Sequence, residues 1–504
     1  MNKYDLNSYV RLLSEEGILD ETNVTNSNGD TPVSDITYNS KEVKEGALFI
    51  CKGISFKEEY LEEAIKSGAI GYVSEVKYRE DIPFIITKDI RKAMPILSDK
   101  LFESPQSELK IIGIGGTKGK TTTSFYVKAI IDDYLKSIGE GECGILSSII
   151  TYDGINKEIS HNTTPEAVEL YRHLRNAADN NIRYMVMEVS SQALKYGRVD
   201  GLTFDVGVFL NISEDHISPI EHKDFEDYFN SKMIMFSNTK HAIVNMDIDY
   251  LDKVLEKARL SEDIHTFSTE DATADIYGYD ISAKEGGSEF KVKSDLINES
   301  FALSMPGLFN VNNALAAISV VKLLGIPVKN MKEGLESARV TGRMEIFKSK
   351  DENLIAIVDY AHNKLSFESL FSSLKKEFKG YHITAVFGAP GGKAFDRRED
   401  LGSIAGKYAD DIILTADEPG FEKVRDICEE IAVYVKRQGC PYKIIEDRGE
   451  ALKAAVTEAG SRTLIVAAGK GHEGSQKVGS EYIDTPSDIE YMKNYIKEYD
   501  NRRD

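Results

Sequence analysis

The stretch IIGIGGTKGKTTT, residues 111–123, decides the fold of this chain. Its β-branched start, its glycines and the helix-compatible segment 124–131 predict a strand, a glycine loop and a helix in succession. Glycines let backbone N–H groups approach phosphate oxygens, and the dipole of the following helix favours an anion at its N-terminus. We therefore predict that this loop binds a nucleoside triphosphate; a glycine turn with a solvated lysine is the alternative.

The predicted phosphate loop departs from the standard Walker A spacing, because Ile114 stands where that motif has its first glycine. The shorter form found here is typical of the Mur and folylpolyglutamate ligases and reads Gly116-Thr117-Lys118-Gly119-Lys120-Thr121-Thr122. In such a loop Lys120 can reach the β/γ-phosphates and the Thr121 hydroxyl can bind Mg²⁺. ATP and Mg²⁺ are the cofactors we expect.

The size and composition of the chain limit its class. At 504 residues, 41% of them apolar, it exceeds a single hydrophobic core, so three domains are the natural expectation. A net charge of −21 argues against nucleic-acid binding, because a phosphate backbone is bound by clustered Lys and Arg. There is no apolar signal region and no run of about 18 apolar residues. We expect a cytoplasmic protein without a membrane partner, and a monomer.

The order of predicted elements indicates an α/β protein with domains at 1–108, 109–338 and 339–504. The first is a small α/β unit. Continuous apolar strands in the second indicate a P-loop ATPase-like parallel sheet, and the third alternates as a Rossmann-like domain does. Ligands bind at the carboxyl ends of such strands, where Glu188 and Asn211 fall.

Several further motifs lie in the order expected of one family: Met187-Glu188-Val189-Ser190-Ser191-Gln192, Asn211-Ile212-Ser213-Glu214-Asp215-His216, Gly342-Arg343-Met344-Glu345, Asp359-Tyr360-Ala361-His362-Asn363 and Gly469-Lys470-Gly471-His472-Glu473. With the phosphate loop, they make the chain resemble the MurE-type Mur ligases over essentially its whole length. The segment 202–222 is similar to the lysine-adding enzymes of streptococci. The resemblance implies peptidoglycan synthesis: ATP activates a carboxylate of UDP-N-acetylmuramoyl-L-alanyl-D-glutamate as an acyl phosphate, and the amine of an amino acid displaces the phosphate.

The resemblance also implies roles at the ATP side. Glu188 would bind Mg²⁺ with Thr121, and His216 a second Mg²⁺. Lys232 would carry a carbamate that binds a cation, and Lys120 completes the predicted catalytic set. Further ATP contacts are implied for Asn310, Asn313, Arg343 and Asp359. Taken alone, Glu188 could be a loop cap, His216 a surface residue, Lys232 a solvated helix lysine and Asn310 a helix N-cap.

For the UDP-muramoyl-dipeptide, the resemblance implies contacts from Ser40, Asn162, Thr163, Thr164, Ser190 and Arg198. Arg198 suits bidentate carboxylate binding. Ser40 lies in Asn39-Ser40-Lys41, where the family has Asp-Ser-Arg, so Asn39 and Lys41 depart from the pattern. A polar triplet of this kind also fits a simple turn.

For the amino acid, the resemblance implies that Arg398 takes the α-carboxylate and that Gly469 and Glu473 contact the amino group. Diaminopimelate-adding enzymes carry Asp-Asn-Pro-Arg, and its arginine binds the distal carboxylate. This chain reads Asp417-Glu418-Pro419-Gly420, so two acids suit a cationic side chain instead. We therefore expect L-lysine or a related dibasic amino acid. The ending His472-Glu473 is similar to the diaminopimelate enzymes and keeps meso-diaminopimelate as the alternative.

Two other functions stay open. A ligase similar to folylpolyglutamate synthetase is disfavoured by the full N-terminal domain, since folate ligases begin near the phosphate loop. A P-loop NTPase used as a switch or regulator would not need a third domain with Arg and Asp motifs. Phosphate release that depends on both the nucleotide-sugar peptide and an amino acid distinguishes these classes.

Overall fold

The computed structural model describes residues 4–53, 56–214, 221–284 and 286–502. Its helices are α1 (Leu6–Glu15), α2 (Glu58–Lys66), α3 (Ile90–Leu101), α4 (Lys120–Ile138), α5 (Ala167–Asp179), α6 (Ser191–Lys195), α7 (Phe225–Met233), α8 (Leu251–Ala258), α9 (Asn310–Leu323), α10 (Val328–Ser337), α11 (Lys364–Glu377), α12 (Asp396–Tyr408), α13 (Val424–Arg437), α14 (Arg448–Thr457) and α15 (Asp488–Asn501). Short 3₁₀ helices lie at Ser40–Glu42, Pro105–Glu108 and Ile234–Asn238.

The strands are β1 (Leu19–Thr22), β2 (Asp35–Thr37), β3 (Ala47–Ile50), β4 (Gly71–Ser74), β5 (Phe84–Thr87), β6 (Lys110–Gly115), β7 (Gly144–Leu146), β8 (Ile150–Tyr152), β9 (Lys157–Ile159), β10 (Tyr184–Glu188), β11 (Phe204–Phe209), β12 (Thr239–Asn245), β13 (Asp263–Ser268), β14 (Ile276–Lys284), β15 (Gly287–Lys293), β16 (Asn298–Leu303), β17 (Glu345–Lys348), β18 (Leu354–Asp359), β19 (His382–Phe387), β20 (Asp411–Leu414), β21 (Tyr442–Ile444), β22 (Thr463–Ala468), β23 (Ser475–Val478) and β24 (Glu481–Asp484).

Three large sheets follow one another along the chain. The first has the order β1-β5-β4-β3-β2, and the third has the order β17-β18-β22-β19-β20-β21. Both are parallel except for one antiparallel edge strand, β1 or β17. A hairpin of β23 and β24 follows the third sheet. The predicted α/β class is confirmed. Each predicted domain contains one of these sheets, while the boundaries themselves stay predictions.

The central sheet places the predicted phosphate loop at its middle. Its order is β16-β15-β14-β13-β12-β11-β6-β10-β7-β8-β9, so β6 lies between β10 and β11 and is parallel to both. The carboxyl ends of these three strands therefore meet at one edge, where ligands bind in open α/β sheets. Ile114, the residue that replaces the first Walker A glycine, is buried inside β6.

Both flanks of the central sheet are antiparallel, which the sequence interpretation did not include. On one side β8 and β9 follow β7, and on the other β15 and β16 follow β14. Along β15, buried Phe290 and Val292 alternate with exposed Glu289 and Lys291. Such alternation fits a strand with one wet face, which antiparallel pairing allows.

Helix α9 brings polar side chains from far along the chain to the phosphate loop. It is apolar almost all round, with Ala314 to Ile318 fully buried. A helix of this kind must pack inside the protein rather than on its surface.

Among the described residues, no helix combines the length and apolar composition needed to cross a membrane.

Candidate functional site

The phosphate loop connects β6 to α4 through backbone conformations that favour glycine. Gly116 has φ 138° and Gly119 has φ 84°. A Cβ on Gly119 would lie 2.4 Å from Asn313 Oδ1, and one on Gly116 would lie 3.0 Å from the Leu210 Cβ. Both positions therefore need glycine for backbone conformation and for space.

Asn211, which follows β11, holds the phosphate loop in place. Its Oδ1 accepts from Lys118 N at 2.8 Å, and its Nδ2 donates to Lys118 O at 3.1 Å. Its own carbonyl accepts from Thr117 N at 3.0 Å. The sequence placed Asn211 at a strand end but assigned it no role, although an amide is the side chain that can serve a backbone N–H and C=O together.

Two lysines converge on one carbonyl of this loop. Lys120 Nζ donates to Gly116 O at 3.0 Å and to Thr117 O at 3.2 Å. Lys232, on α7, is 3% exposed and donates to the same Gly116 O at 2.8 Å. The alternative of a solvated helix lysine is therefore wrong for Lys232. Two ammonium groups that share one acceptor repel each other, and burial weakens the screening of that repulsion.

Oxygen donors gather beside the loop at the ends of β6 and β10. Thr121 Oγ1 lies 3.0 Å from Ser148 Oγ, and Ser148 N donates to Glu188 Oε1 at 2.8 Å. Glu188 is 1% exposed. Hydroxyl and carboxylate oxygens are the donors that Mg²⁺ prefers. Ser148 was missed by the sequence analysis, and His216 lies outside the described residues.

A cavity of about 270 Å³ separates the phosphate loop from the third sheet. It is lined by Thr117, Lys118, Gly119, Lys120, Thr121, Thr122, Ser148, Thr163, Glu188, Arg343, Tyr360, His362, His472 and Glu473. Most of the predicted phosphate-loop residues thus face the predicted Arg343 and Glu473 across one space. Tyr360, His362 and His472 belong to quoted motifs but had no predicted role.

Asp359 lies behind this cavity and organises the turn that carries Arg343. Its carboxylate accepts from Met344 N at 2.9 Å and from Ala361 N at 2.8 Å. Burial raises the pKa of Asp359, and the nearby Arg343 opposes that shift.

His472 lines the same cavity. Burial, and to a smaller extent repulsion from Arg343, lower the pKa of its imidazole, which is therefore neutral at pH 7.

The two asparagines at the start of α9 are buried and bonded to each other. Asn313 Nδ2 donates to Asn310 Oδ1 at 3.0 Å, and Asn310 Nδ2 donates to Pro306 O at 2.8 Å. The N-cap of α9 is Phe309, and Asn310 is the first helical residue. The N-cap alternative for Asn310 is therefore wrong. Contact with Gly119 places Asn313 directly under the phosphate loop.

A larger cavity, of about 650 Å³, opens between the first unit and the central unit. Its lining is Lys52, Gly53, Glu75, Lys88, Asp89, Ile90, Arg91, Met94, Glu166, Ala167, Tyr196, Gly197 and Arg198. The predicted Arg198 thus stands with three cations that sequence reasoning missed, Lys52, Lys88 and Arg91. Both Arg198, at 2.7 Å, and Lys52, at 2.6 Å, pair with Glu166.

The remaining residues predicted for the nucleotide-sugar peptide fall into two places. Thr164 Oγ1 donates to Glu188 O at 2.9 Å and lies 3.3 Å from Ser190 Oγ. Arg198 donates to Thr164 O at 3.1 Å, so Thr164 links Arg198 of the larger cavity to Glu188 of the smaller one. Asn162 is exposed in the preceding loop. Ser40 does not line the 650 Å³ cavity, and its hydroxyl donates to Glu63 at 2.6 Å.

Four of the five residues predicted for the amino acid, Asp417, Glu418, Gly469 and Glu473, lie around a buried lysine at the ends of β20 and β22. Lys470, 4% exposed in its side chain, lies 2.6 Å from Glu473 and 3.6 Å from Glu418. A Cβ on Gly469 would lie 2.8 Å from the Asp417 carboxylate. Burial raises the pKa of Asp417, whereas Arg448 and Lys470 lower it. Sequence reasoning assigned no role to Lys470, although it stands inside a quoted motif.

Arg398 lies apart from that cluster, where its buried side chain pairs with two more exposed acids. Its guanidinium is 2.9 Å from Glu422 and 2.6 Å from Glu430, and its side chain is 2% exposed. A substrate carboxylate would have to compete with these two acids for the guanidinium. The assignment of Arg398 to the α-carboxylate of the amino acid stays a prediction, in which the substrate competes with Glu422 and Glu430.

The chain is similar to two known protein-family models and to individual known proteins. Residues 114–321 match the family model "Mur ligase middle domain", and residues 342–471 match "Mur ligase, glutamate ligase domain". The UDP-N-acetylmuramoyl-L-alanyl-D-glutamate--L-lysine ligase of Streptococcus agalactiae serotype Ia is 38% identical over 464 residues, covering 92% of each chain.

Solved structures share the fold. A UDP-N-acetylmuramoyl-L-alanyl-D-glutamate--2,6-diaminopimelate ligase superposes with a TM-score of 0.65 at 24% identity, covering 96% of this chain and 97% of that one. Mycobacterium tuberculosis folylpolyglutamate synthase complexed with ADP gives 0.58 at 18% identity, covering 75% and 91%. The resemblance predicted from the ordered motifs is confirmed by the matched family models and the 38% identity: the chain belongs to the Mur ligase family.

Proposed function

We propose that the chain is an ATP-dependent, ADP-forming ligase of peptidoglycan synthesis that adds L-lysine to UDP-N-acetylmuramoyl-L-alanyl-D-glutamate. The observation that carries this proposal is the 270 Å³ cavity, in which the phosphate loop and Glu188 face Arg343 and Glu473. A phosphorylated carboxylate and an amine react only when their reacting atoms are held close together, which one shared cavity allows. The name of the streptococcal relative supports the choice of substrates.

In this proposal the phosphate loop binds ATP through its backbone N–H groups and the Lys120 ammonium. Thr121 and Glu188 would hold Mg²⁺, which neutralises phosphate charge. Asn211 keeps the loop rigid, so its donors need no rearrangement when charge develops on the transferred phosphoryl group. Arg343, whose guanidinium donates to Thr121 Oγ1 at 3.4 Å, adds positive charge from the third unit.

The proposal includes a carbamate on Lys232. The ammonium loses one proton, the neutral amine nitrogen attacks carbon dioxide, and a second proton leaves that nitrogen, so a carbamate anion replaces the ammonium. The change removes the repulsion between Lys120 and Lys232 at Gly116 O and supplies a further oxygen donor beside the loop. Without carbamylation, the partly buried Lys120 and the buried Lys232 both place an ammonium at Gly116 O.

The 650 Å³ cavity is the proposed place of the UDP-muramoyl-dipeptide. Its four cationic side chains suit a diphosphate and a carboxylate. Because Thr164 bonds to both Arg198 and Glu188, a dipeptide carboxylate bound near Arg198 would lie on the side of the cavity that faces the ATP site.

Replacing Arg198 tests this placement. We expect Arg198→Ala to raise the KM for the UDP-muramoyl-dipeptide about 10- to 100-fold, since charged hydrogen bonds contribute about 1.5–3 kcal/mol. Steady-state kinetics should show an unchanged KM for ATP. Arg175→Ala, which removes a partly exposed arginine of α5 paired with Glu108 and Asp179 away from both cavities, is the control. A KM shift no larger than in that control would contradict the assignment.

The charge of the amino-acid pocket favours a cationic side chain. Asp417, Glu418 and Glu473 surround one buried ammonium, Lys470. Exposed Lys393 also reaches Glu418, at 3.8 Å. A second buried cation near Asp417, Arg448, is paired with Asp488 at 2.6 Å. The four carboxylates Asp417, Glu418, Glu473 and Asp488 thus outnumber the two buried cations, and Gly420 stands where the diaminopimelate enzymes have an arginine for a second substrate carboxylate.

We expect kcat/KM for L-lysine to exceed that for meso-diaminopimelate by about a hundredfold or more, because a buried unpaired carboxylate costs several kcal/mol. Gly420→Arg should narrow this ratio, and the position has room, since a Cβ there meets only Gly391 O, at 3.8 Å. Gly420 has φ 56°, so Gly420→Ala controls for the strain of any side chain. A wild-type preference for meso-diaminopimelate would show that another cation replaces the missing arginine.

The function as a whole is tested with a panel of amino acids, ATP and UDP-N-acetylmuramoyl-L-alanyl-D-glutamate, with products identified by mass. We expect one product, heavier by a lysine residue, and phosphate release that needs both substrates. Phosphate release without either one would favour the NTPase switch. Activity with a folate and glutamate would favour the folylpolyglutamate alternative.

A further inference from the structure

Two histidines and an aspartate lie together on β12 and β13, away from the cavities described above. The strands are parallel, with His241 opposite Asp263 and Ile243 opposite His265. Since side chains on a strand alternate between faces, His241, Asp263 and His265 project from the same face. They lie near the amino ends of their strands, at the edge of the sheet opposite the phosphate loop.

The ligand atoms of these residues converge. His241 Nδ1 lies 2.9 Å and His265 Nε2 lies 3.4 Å from the same oxygen, Asp263 Oδ1. All three ligand atoms lie within 4.8 Å of one another. Donors at about 2.0–2.2 Å from a tetrahedral Zn²⁺ are roughly 3.4 Å apart, so the spacing needs little adjustment.

The ring of His265 supplies an independent observation. Its Nε2 atom is buried and makes no hydrogen bond within the described part of the chain, although it faces Asp263. A buried ring nitrogen without a hydrogen bond is costly, and such groups in folded proteins call for an explanation. A cation bound between the histidines and Asp263 would satisfy it.

We propose that His241, Asp263 and His265 bind a divalent transition-metal cation of the zinc class, with water at the open positions. Imidazole nitrogens with one carboxylate suit Zn²⁺, Co²⁺ or Ni²⁺, whereas Mg²⁺ and Ca²⁺ prefer oxygen donors. The side chains are 40%, 48% and 32% exposed, so solvent can reach the site. The cation links two central strands, so it stabilises the fold rather than taking part in the reaction.

The test titrates the full-length protein with Zn²⁺ alone by calorimetry, with excess Mg²⁺ present, and records Co²⁺ visible absorption. We expect one Zn²⁺ per chain at this site, a melting temperature raised by Zn²⁺, and at least about tenfold weaker binding in His265→Gln and in His241→Asn. Ligase turnover should not change in these variants, which separates this proposal from the proposed function.

The matched control is His382→Gln. His382 pairs with Asp411 across two strands of the third sheet, and no third ligand of this kind stands beside that pair among the described residues. Melting curves without metal verify that all variants fold. The proposal is overturned if the wild type binds no more Zn²⁺ than His265→Gln, or if His382→Gln lowers binding equally. Either result would mean that His241 and His265 only form ion pairs with Asp263 and bind no metal.

Discussion

Lys120→Ala is expected to abolish product formation, by at least about a thousandfold in kcat, while the protein keeps its fold. The reason is that the transferred phosphoryl group loses its cationic partner, and electrostatic stabilisation is the main contribution of the protein in phosphoryl transfer. Lys120 is the first residue of α4, where alanine is a good helix former. Gly116 O also keeps its hydrogen bond from Lys232.

The measurement is product formation under saturating substrates, together with thermal melting. Lys136→Ala, an exposed lysine in the last turn of the same helix, is the control and should keep wild-type turnover. Wild-type turnover in Lys120→Ala with an intact melting curve would refute the phosphate-loop assignment.

The second large effect concerns Lys232. We expect Lys232→Ala to lower kcat at least about a hundredfold, because the variant lacks the proposed carbamate anion that would help to hold Mg²⁺ at the phosphate loop. A short carboxylic acid such as acetate should partly restore activity, since it can occupy the space left by the side chain and supply the oxygens. Labelling the wild type with ¹³C-bicarbonate should give a carbamate resonance that is absent from the variant.

Lys232→Arg distinguishes the carbamate from a simple cation. Arginine keeps a positive charge near Gly116 O but cannot form the carbamate, so it should be inactive and acetate should not rescue it. Activity in Lys232→Arg, or a fully active Lys232→Ala, would mean that the lysine only ties α7 to the loop. Melting curves show whether loss of the buried side chain unfolds the protein.

Local pattern was enough to predict the elements that carry the site. The strand, loop and helix around residues 111–123 follow from β-branched residues, glycines and helix formers close together in sequence. Short-range interactions set these preferences, so they can be read without the fold. The order of the motifs likewise indicated the family. Continuous apolar strands also predicted a parallel sheet, since such sheets are buried on both faces. That β6 pairs with both β10 and β11 was shown only by the structure.

The contacts between distant residues were decided only by the tertiary structure. Ser148 bridges Thr121 and Glu188, Lys232 reaches the carbonyl that Lys120 also binds, and Arg398 is held by two acids. None of these pairings leaves a periodic pattern in the sequence, because each depends on how sheets and helices pack against one another. The antiparallel flanks of the central sheet escaped prediction for the same reason. Sequence thus determined the local elements and the family, whereas packing decided which charges and oxygens face each other, since only the folded chain fixes distances between remote side chains.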